Sequence, residues 1–429
     1  MTLGNMITEL GRKVGDQMKK NNLLRITSFI RSFFSFEAVF ILFLFAGLYK
    51  GDPFISSIIP LDLTLFFFGL SSVYCFYILG LKRNWLMDRH AGSVNGLYIL
   101  FLTYMIVSLL WSPSSVYASE KVLFMSSTVF LSIFSTSVII ASSSGRIKRF
   151  LQLTFILGAW FAAQVGIVYV HSDRAGFVNV MGSSYLGTGQ LISLGAIICS
   201  GYMLFYANSV VKKLTSLIVY ISMLSSLLVL GGRGPLIGTF LALLVPLFYS
   251  LTIQKNQIKM KSYALTALVI IFLLISTIVY LILTNQPLIT LSRLMSFFEG
   301  EDVTSAGVRS SYYWDSIVYW MKQPIFGNGI GSWPILHEGE DIRNYPHNIF
   351  LEVASELGLI GLILLSMLLI LSTRHLFSIQ KVNENKVNLM MIMMFVSSFF
   401  NVLVSGDLPD NRLFFAMLGL LCCMNRKAV

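Results

Sequence analysis

Charge is what this chain has least of. Asp, Glu, Lys and Arg make up 12% of its 429 residues, against roughly 25% in a soluble domain, which excludes an ordinary water-soluble globular protein. Cysteine is nearly absent: Cys75, Cys199, Cys422 and Cys423 all fall inside apolar runs, so no disulfide framework is indicated. The adjacent Cys422 and Cys423 read as lipid-facing residues. There is no Walker A motif and no histidine pair at metal-ligand spacing, and the acidic loop segments do not form a cation site. Glu299-Gly300-Glu301-Asp302 and His337-Glu338-Gly339-Glu340-Asp341 are read as solvated loop. No internal repeat of the kind that builds inverted transporter halves is evident.

What is present is apolar: 55% of residues are hydrophobic and the mean hydropathy is +0.76. Apolar runs long enough to cross a bilayer recur along the chain. The reading is an all-α membrane protein of about 12 transmembrane helices, near 32–50, 61–81, 94–111, 120–142, 150–170, 185–206, 214–231, 234–252, 263–284, 352–373, 387–404 and 411–425.

The net charge of +11 is a topology signal and not a nucleic-acid footprint. With the N-terminus inside, nine of the 31 basic residues fall outside: Lys50, Lys121, Arg174, Arg233, Arg293, Arg309, Lys322, Arg343 and Arg412. The remaining 31 − 9 = 22 lie inside. That bias puts both termini in the cytoplasm. Residues 1–25 are polar and basic and read as a cytoplasmic helix on the anionic leaflet or a solvated tail, not a cleavable signal.

One connection is long. Residues 285–348 form an extracytoplasmic loop between residues 1–284, with nine spans, and residues 349–429, with three, in one integrated domain. Loops beyond about 15 residues are usually functional or disordered. Here Tyr313, Ile317, Trp320 and Met321 recur at helical spacing, which predicts an amphipathic helix over 304–322 lying at the membrane surface. The aromatic cluster of Tyr312, Tyr313, Trp314, Tyr319, Trp320 and Trp333 suits the headgroup level. Pro324-Ile325-Phe326-Gly327-Asn328-Gly329-Ile330-Gly331 then turns the chain. A backbone approach to an anionic substrate is the alternative use of those glycines.

The loop re-enters the membrane at Tyr345-Pro346-His347-Asn348. A histidine at a helix start feels the positive end of the helix dipole, stays neutral and can accept a proton; a structural histidine is the alternative. Asn348, Glu352 and Glu356 follow on one helical stripe, where a carboxylate can orient a histidine or pair with an arginine. Gly358 and Gly361 read as a tight helix crossing. Among the outside arginines, Arg233 in Gly231-Gly232-Arg233-Gly234-Pro235, Arg309 and Arg174 are placed to bind phosphate oxygens. Asp407 and Arg412 are expected to pair with each other.

These segments resemble the O-antigen ligase/polymerase family of bacterial membrane glycosyltransferases. His347-Asn348, nine residues, then Gly358-Leu359-Ile360-Gly361 matches the family's His-Asn-x9-Gly-x-x-Gly pattern. Arg309, Trp314 and Pro324-Ile325-Phe326-Gly327-Asn328-Gly329 look like its upstream elements, Gly232-Arg233-Gly234 like its earlier arginine motif, and Trp111-Ser112-Pro113 like a feature after the third span. The resemblance implies a GT-C-like fold in the inner (cytoplasmic) membrane with its active site on the periplasmic side. It implies transfer of undecaprenyl-diphosphate-linked glycan with inversion, without metal or other cofactor. The expected function is polymerisation of O-antigen or capsular repeat units in lipopolysaccharide or capsule biosynthesis. The alternative is an O-antigen ligase acting on lipid A-core or a protein acceptor. Partners would be the lipid-linked oligosaccharide, a second lipid-linked glycan or lipid A-core as acceptor, and a chain-length regulator. His347 and Arg309 would be catalytic. Arg233, Arg309 and Arg174 would bind the diphosphate, and Asn348, Glu352, Glu356 and Trp314 would support the site. A polysaccharide flippase is the reading from another class, and would place charges along a central path.

Overall fold

The computed structural model describes residues 32–83, 85–171, 176–254, 257–284, 288–298, 306–378, 382 and 385–425. Among them are α1 (Phe36–Leu44), α2 (Pro53–Ile58), α3 (Leu63–Lys82), α4 (Arg89–Ser108), α5 (Val116–Ser142), α6 (Ser144–His171), α7 (Tyr185–Phe205), α8 (Val210–Leu230) and α9 (Arg233–Ser250). A small antiparallel ribbon of Leu251–Gln254 and Gln257–Met260 follows. Then come α10 (Ser262–Leu283), α11 (Ile289–Phe298), α12 (Ala306–Lys322), α13 (Trp333–Glu338), α14 (Ile349–Thr373), α15 (Lys386–Val404) and α16 (Arg412–Leu420).

This is a polytopic helical membrane protein. Ten of the described helices are long and apolar enough to cross a bilayer. The other two expected spans, 32–50 and 411–425, are occupied by the short helices α1 and α16. Both are packed inside the bundle, with Phe36, Phe40, Phe43, Phe414 and Phe415 all buried. Their apolar composition reflects a protein core on every side, which periodicity cannot distinguish from lipid. Cys422 is likewise buried, not lipid-facing.

The bundle has a centre and a rim. The α7 window is 83% buried and the α10 window 22%, so α7 is a core helix and α10 meets lipid on most of its surface. Polar side chains start the helices. Asp62 accepts hydrogen bonds from Thr64 N and Leu65 N to begin α3, and Asp88 accepts from Ala91 N to begin α4, each satisfying donors that a helix leaves open. Gly231, at φ 98°, ends α8 and turns the chain directly into α9. A Cβ there would run into the Phe177 ring, so the Arg233 turn needs glycine before it.

The long loop is more structured than one amphipathic helix. It contains α11, α12 and α13 among the described residues. Trp333 is fully buried and its indole Nε1 donates to Ser316 Oγ at 2.9 Å; it is a core residue of the loop and not a headgroup anchor. Asp341 is not simply solvated either. Its carboxylate accepts from the Ser114 hydroxyl at 2.6 Å and from Ser115 N, Val116 N and Tyr117 N, capping α5 from the far side of the chain. Burial alone would raise its pKa, but these donors hold it down at about 2. Glu299-Gly300-Glu301-Asp302 and residues 1–25 lie outside the described residues.

Candidate active site

The glycine segment locks the loop to the bundle. α14 is interrupted at Gly358, whose φ of 63° and ψ of −160° are not helical. Its freed backbone groups pair with the Pro324–Gly329 stretch: Leu359 N donates to Pro324 O at 2.8 Å, Asn328 N to Ser355 O at 3.1 Å and Gly329 N to Glu356 O at 2.8 Å. Side chains at Gly327 or Gly358 would collide with the facing backbone. The other face of the segment rests on the end of α4, where Ser112 Oγ donates to Ile330 O at 2.6 Å and Ile330 N to Ser108 Oγ at 3.2 Å. Gly358 is therefore a helix break filled by another strand of backbone, not a helix crossing. The alternative use of the glycine run is also ruled out: the N–H groups of Gly327, Asn328, Gly329, Ile330 and Gly331 all donate within the protein, leaving none for an anion.

This interlock fixes the start of α14. Asn348 caps it, accepting from Phe350 N and Leu351 N, while its Nδ2 donates to Leu403 O at 3.0 Å. His347 precedes the cap in a left-handed conformation, φ 60°. The imidazole is flanked by rings: Tyr345 at 4.6 Å between centroids, and Tyr312 of α12 parallel to it at 6.4 Å. Its Nδ1 is buried without a hydrogen-bond partner among the described residues. Burial first, then the Arg309 charge, lowers the His347 pKa to about 4, against a small upward pull from Asp407. The histidine is neutral, as the helix-start argument expects, chiefly because of burial and Arg309.

Arg309 opens onto a recess lined by Arg233, Arg293, Tyr185 and Ser405, with Asn401 beneath. Among the described residues, the lining brings three guanidiniums together. It also sits at the N-terminal ends of α7 and α9, where the helix dipoles add positive potential. Arg233 Nη1 donates to Arg293 O at 2.8 Å, and Arg293 Nη1 to Gly231 O at 2.7 Å. The Arg293 guanidinium lies over the rings of Phe177 and Tyr185, so two of the three are braced by scaffold. Arg309 makes no hydrogen bond or ion pair among the described residues. Burial, with Arg233 and Arg293 alongside, lowers its pKa below the ordinary guanidinium range. Guanidiniums gathered this way make the recess a candidate site for an anion.

Behind His347 lies a second cluster, fully buried. Lys121 of α5 places Nζ 2.7 Å from Glu352 Oε1, 2.8 Å from Glu356 Oε1 and 3.5 Å from Asp407 Oδ1. Glu356 Oε2 also accepts from Gly331 N at 2.9 Å, Glu352 Oε1 from Leu408 N at 3.2 Å, and Asp407 Oδ2 from the Tyr117 hydroxyl at 2.6 Å. The stripe of carboxylates is where the helix pattern puts it, but its partner is a lysine, not a histidine or arginine. Asp407 pairs with Lys121 and, at 3.8 Å, with Arg343. The expected Arg412 partner instead stacks over Phe43.

The structure thus brings His347, Asn348, Arg309 and Arg233 to one end of the bundle, with Glu352 and Glu356 one layer below. Trp314 is 66% exposed and touches neither cluster. Arg174 lies outside the described residues. Sequence reasoning missed Arg293 and Lys121. Both belong to the outside basic minority, and that membership was the only signal.

Residues 218–366 match the family described as O-antigen ligase. The matched segment runs from α8 to α14 and contains Arg233, Arg293, Arg309, the glycine segment and His347. No curated protein matches the chain.

Proposed function

We propose that this chain, which carries the O-antigen ligase family's domain over residues 218–366, is a membrane glycosyltransferase that moves a glycan from a polyprenyl diphosphate to an acceptor hydroxyl. The observation that carries this reading is the gathering of three guanidiniums in one recess, set beside a neutral histidine whose buried Nδ1 has no partner among the described residues. A diphosphate leaving group needs positive charge where its own negative charge develops, and guanidiniums in a poorly hydrated recess supply it. The acceptor hydroxyl attacks the anomeric carbon. A new carbon–oxygen bond forms as the bond to the diphosphate oxygen breaks, so one displacement inverts the configuration. His347 takes the hydroxyl proton, and Arg309, Arg233 and Arg293 hold the departing diphosphate.

The positive-inside bias supports an orientation with both termini in the cytoplasm and residues 285–348 as a catalytic loop on the outer face of the inner membrane. The donor in this reading is undecaprenyl-diphosphate-linked oligosaccharide. The acceptor is a second lipid-linked repeat unit, which makes the enzyme a polymerase. Transfer to lipid A-core is the second reading, favoured by the description of the matching family.

Purified protein given lipid-linked repeat units, with and without lipid A-core, tests both. A ladder of longer lipid-linked glycans is the result expected of a polymerase, and transfer to core alone that of a ligase. Absence of transfer in both mixtures, with lipid-linked glycan flipped across liposomes instead, overturns the enzyme reading.

A further inference from the structure

Lys121 has no role in the chemistry just described, yet it is the most committed cation among the described residues. Its side chain is fully buried and meets three carboxylates. Each carboxylate also holds a different piece of the site's frame. Glu356 holds the glycine segment through Gly331 N. Glu352 holds the loop before α16 through Leu408 N. Asp407 holds Tyr117 at the start of α5 and faces Arg343, four residues before His347. Without a cation at their centre these carboxylates would be an anionic patch inside the protein, where water cannot screen them.

Resting on the glycosyl-transfer reading, we propose that Lys121 is a positioning residue for the transfer step: by setting one positive charge among Glu352, Glu356 and Asp407 it pins the glycine segment and the last loop to α14 and offsets part of the negative charge behind His347. The charges that reach His347 come from several elements. Arg309 acts on it from α12, where the Tyr312 ring lies parallel to it and Tyr313 neighbours Arg309 and Asn348. Tyr345 and Arg343 belong to its own loop. Asp407 acts from the loop before α16, and His337 of α13 meets the Tyr312 ring edge-on. Only Asp407 links this set directly to Lys121.

The test separates charge balance from simple scaffolding. Transfer is measured against pH with undecaprenyl-diphosphate-linked repeat units for the wild type, Lys121→Met and the double variant Lys121→Met/Glu356→Gln. One unneutralised charge roughly 10 Å away, at an effective dielectric constant of about 20, moves a pKa by about one unit. A neutral histidine is the active base, so activity falls on the acid side as it protonates. Lys121→Met is therefore expected to move that acid limb about one pH unit upward and to lower kcat. The double variant removes one positive and one negative charge, and is expected to return the limb to its wild-type position and recover most of kcat.

An acid limb unmoved in Lys121→Met, or a double variant no better than the single, overturns the proposal. Should Lys121→Met fail to assemble, Glu356→Gln alone carries the test with the opposite sign: its limb moves down, and an unmoved limb overturns the proposal. His347→Ala in the same assay keeps the two readings apart. Full transfer by that variant removes the site reading itself. A dead His347→Ala beside an unmoved limb removes only the role of Lys121.

Discussion

Two charged clusters occupy the same end of this bundle and are built on opposite rules. Around Lys121, one buried cation meets three carboxylates. Around Arg309, three guanidiniums line one recess, and no carboxylate is among its described lining residues. The first answers its own charge and ties together loops that are remote in sequence. The second gathers like charges beside His347, and in the proposed reading the anion they take is the diphosphate. A charge's neighbours therefore say more about its role than its depth in the bundle does.

Breaking the histidine–arginine side should abolish chemistry and spare the fold. His347→Ala is expected to lower kcat by about 10²–10⁴-fold, the usual share of a general base, in protein that still purifies as a single species. A fall in thermal midpoint that accounts for the whole loss would make His347 structural. Arg309→Gln is expected to cost about 10²–10³-fold in transfer, like the loss of one charge-stabilising donor, with unchanged assembly because it has no hydrogen-bond partner among the described residues. Lys121→Met should reverse that balance. Removing one member of a buried ion cluster costs about 3–5 kcal/mol of stability, to be read from thermal unfolding in detergent. Equal stability losses in the Arg309 and Lys121 variants would erase the distinction between the clusters.

A pH measurement sharpens the comparison further. In the free enzyme Arg309 helps hold His347 down at about 4. A bound diphosphate neutralises Arg309 and removes that effect. The acid limb of kcat/KM, which reports the free enzyme, should then lie below that of kcat, which reports the complex. Coincident limbs would mean that the anion does not bind beside Arg309. The smallest expected effect lies at the rim: Asp341→Ala should cost about 1 kcal/mol, as losing a helix cap does, and Asp341→Asn clearly less. No change in thermal midpoint for Asp341→Ala would show that water replaces the cap.

What could be read from the sequence follows how local the signal is. The start of α14 was legible because Pro346 precedes an apolar run, but Asn348, read as part of the helical stripe, proves to be the cap before it. Arg233 and Arg309 were legible as charges stranded beside apolar segments. Lys121 was not, because its partners stand 231 and 235 positions away and nothing local marks which carboxylates it meets. Gly358 misled for a related reason. A glycine in an apolar helix looks like a crossing point until the segment that fills the break, Pro324–Gly329, is seen beside it. Arg293 was hidden by the shortness of α11, which gives only ten residues of pattern. The short core helices α1 and α16 read as spans because burial in protein and burial in lipid select the same side chains.

Binding of undecaprenyl diphosphate to the protein in nanodiscs, wild type against Arg293→Gln, tests the central claim most directly. Arg293 enters the site through geometry alone, since no motif named it. Loss of one charge-assisted contact, worth about 1.5–3 kcal/mol, predicts that Arg293→Gln binds the diphosphate roughly 10- to 100-fold more weakly, with undecaprenyl monophosphate less affected. Diphosphate binding by a folded Arg293→Gln protein that equals the wild type would contradict the account, and the three-arginine recess would then not be where the leaving group sits.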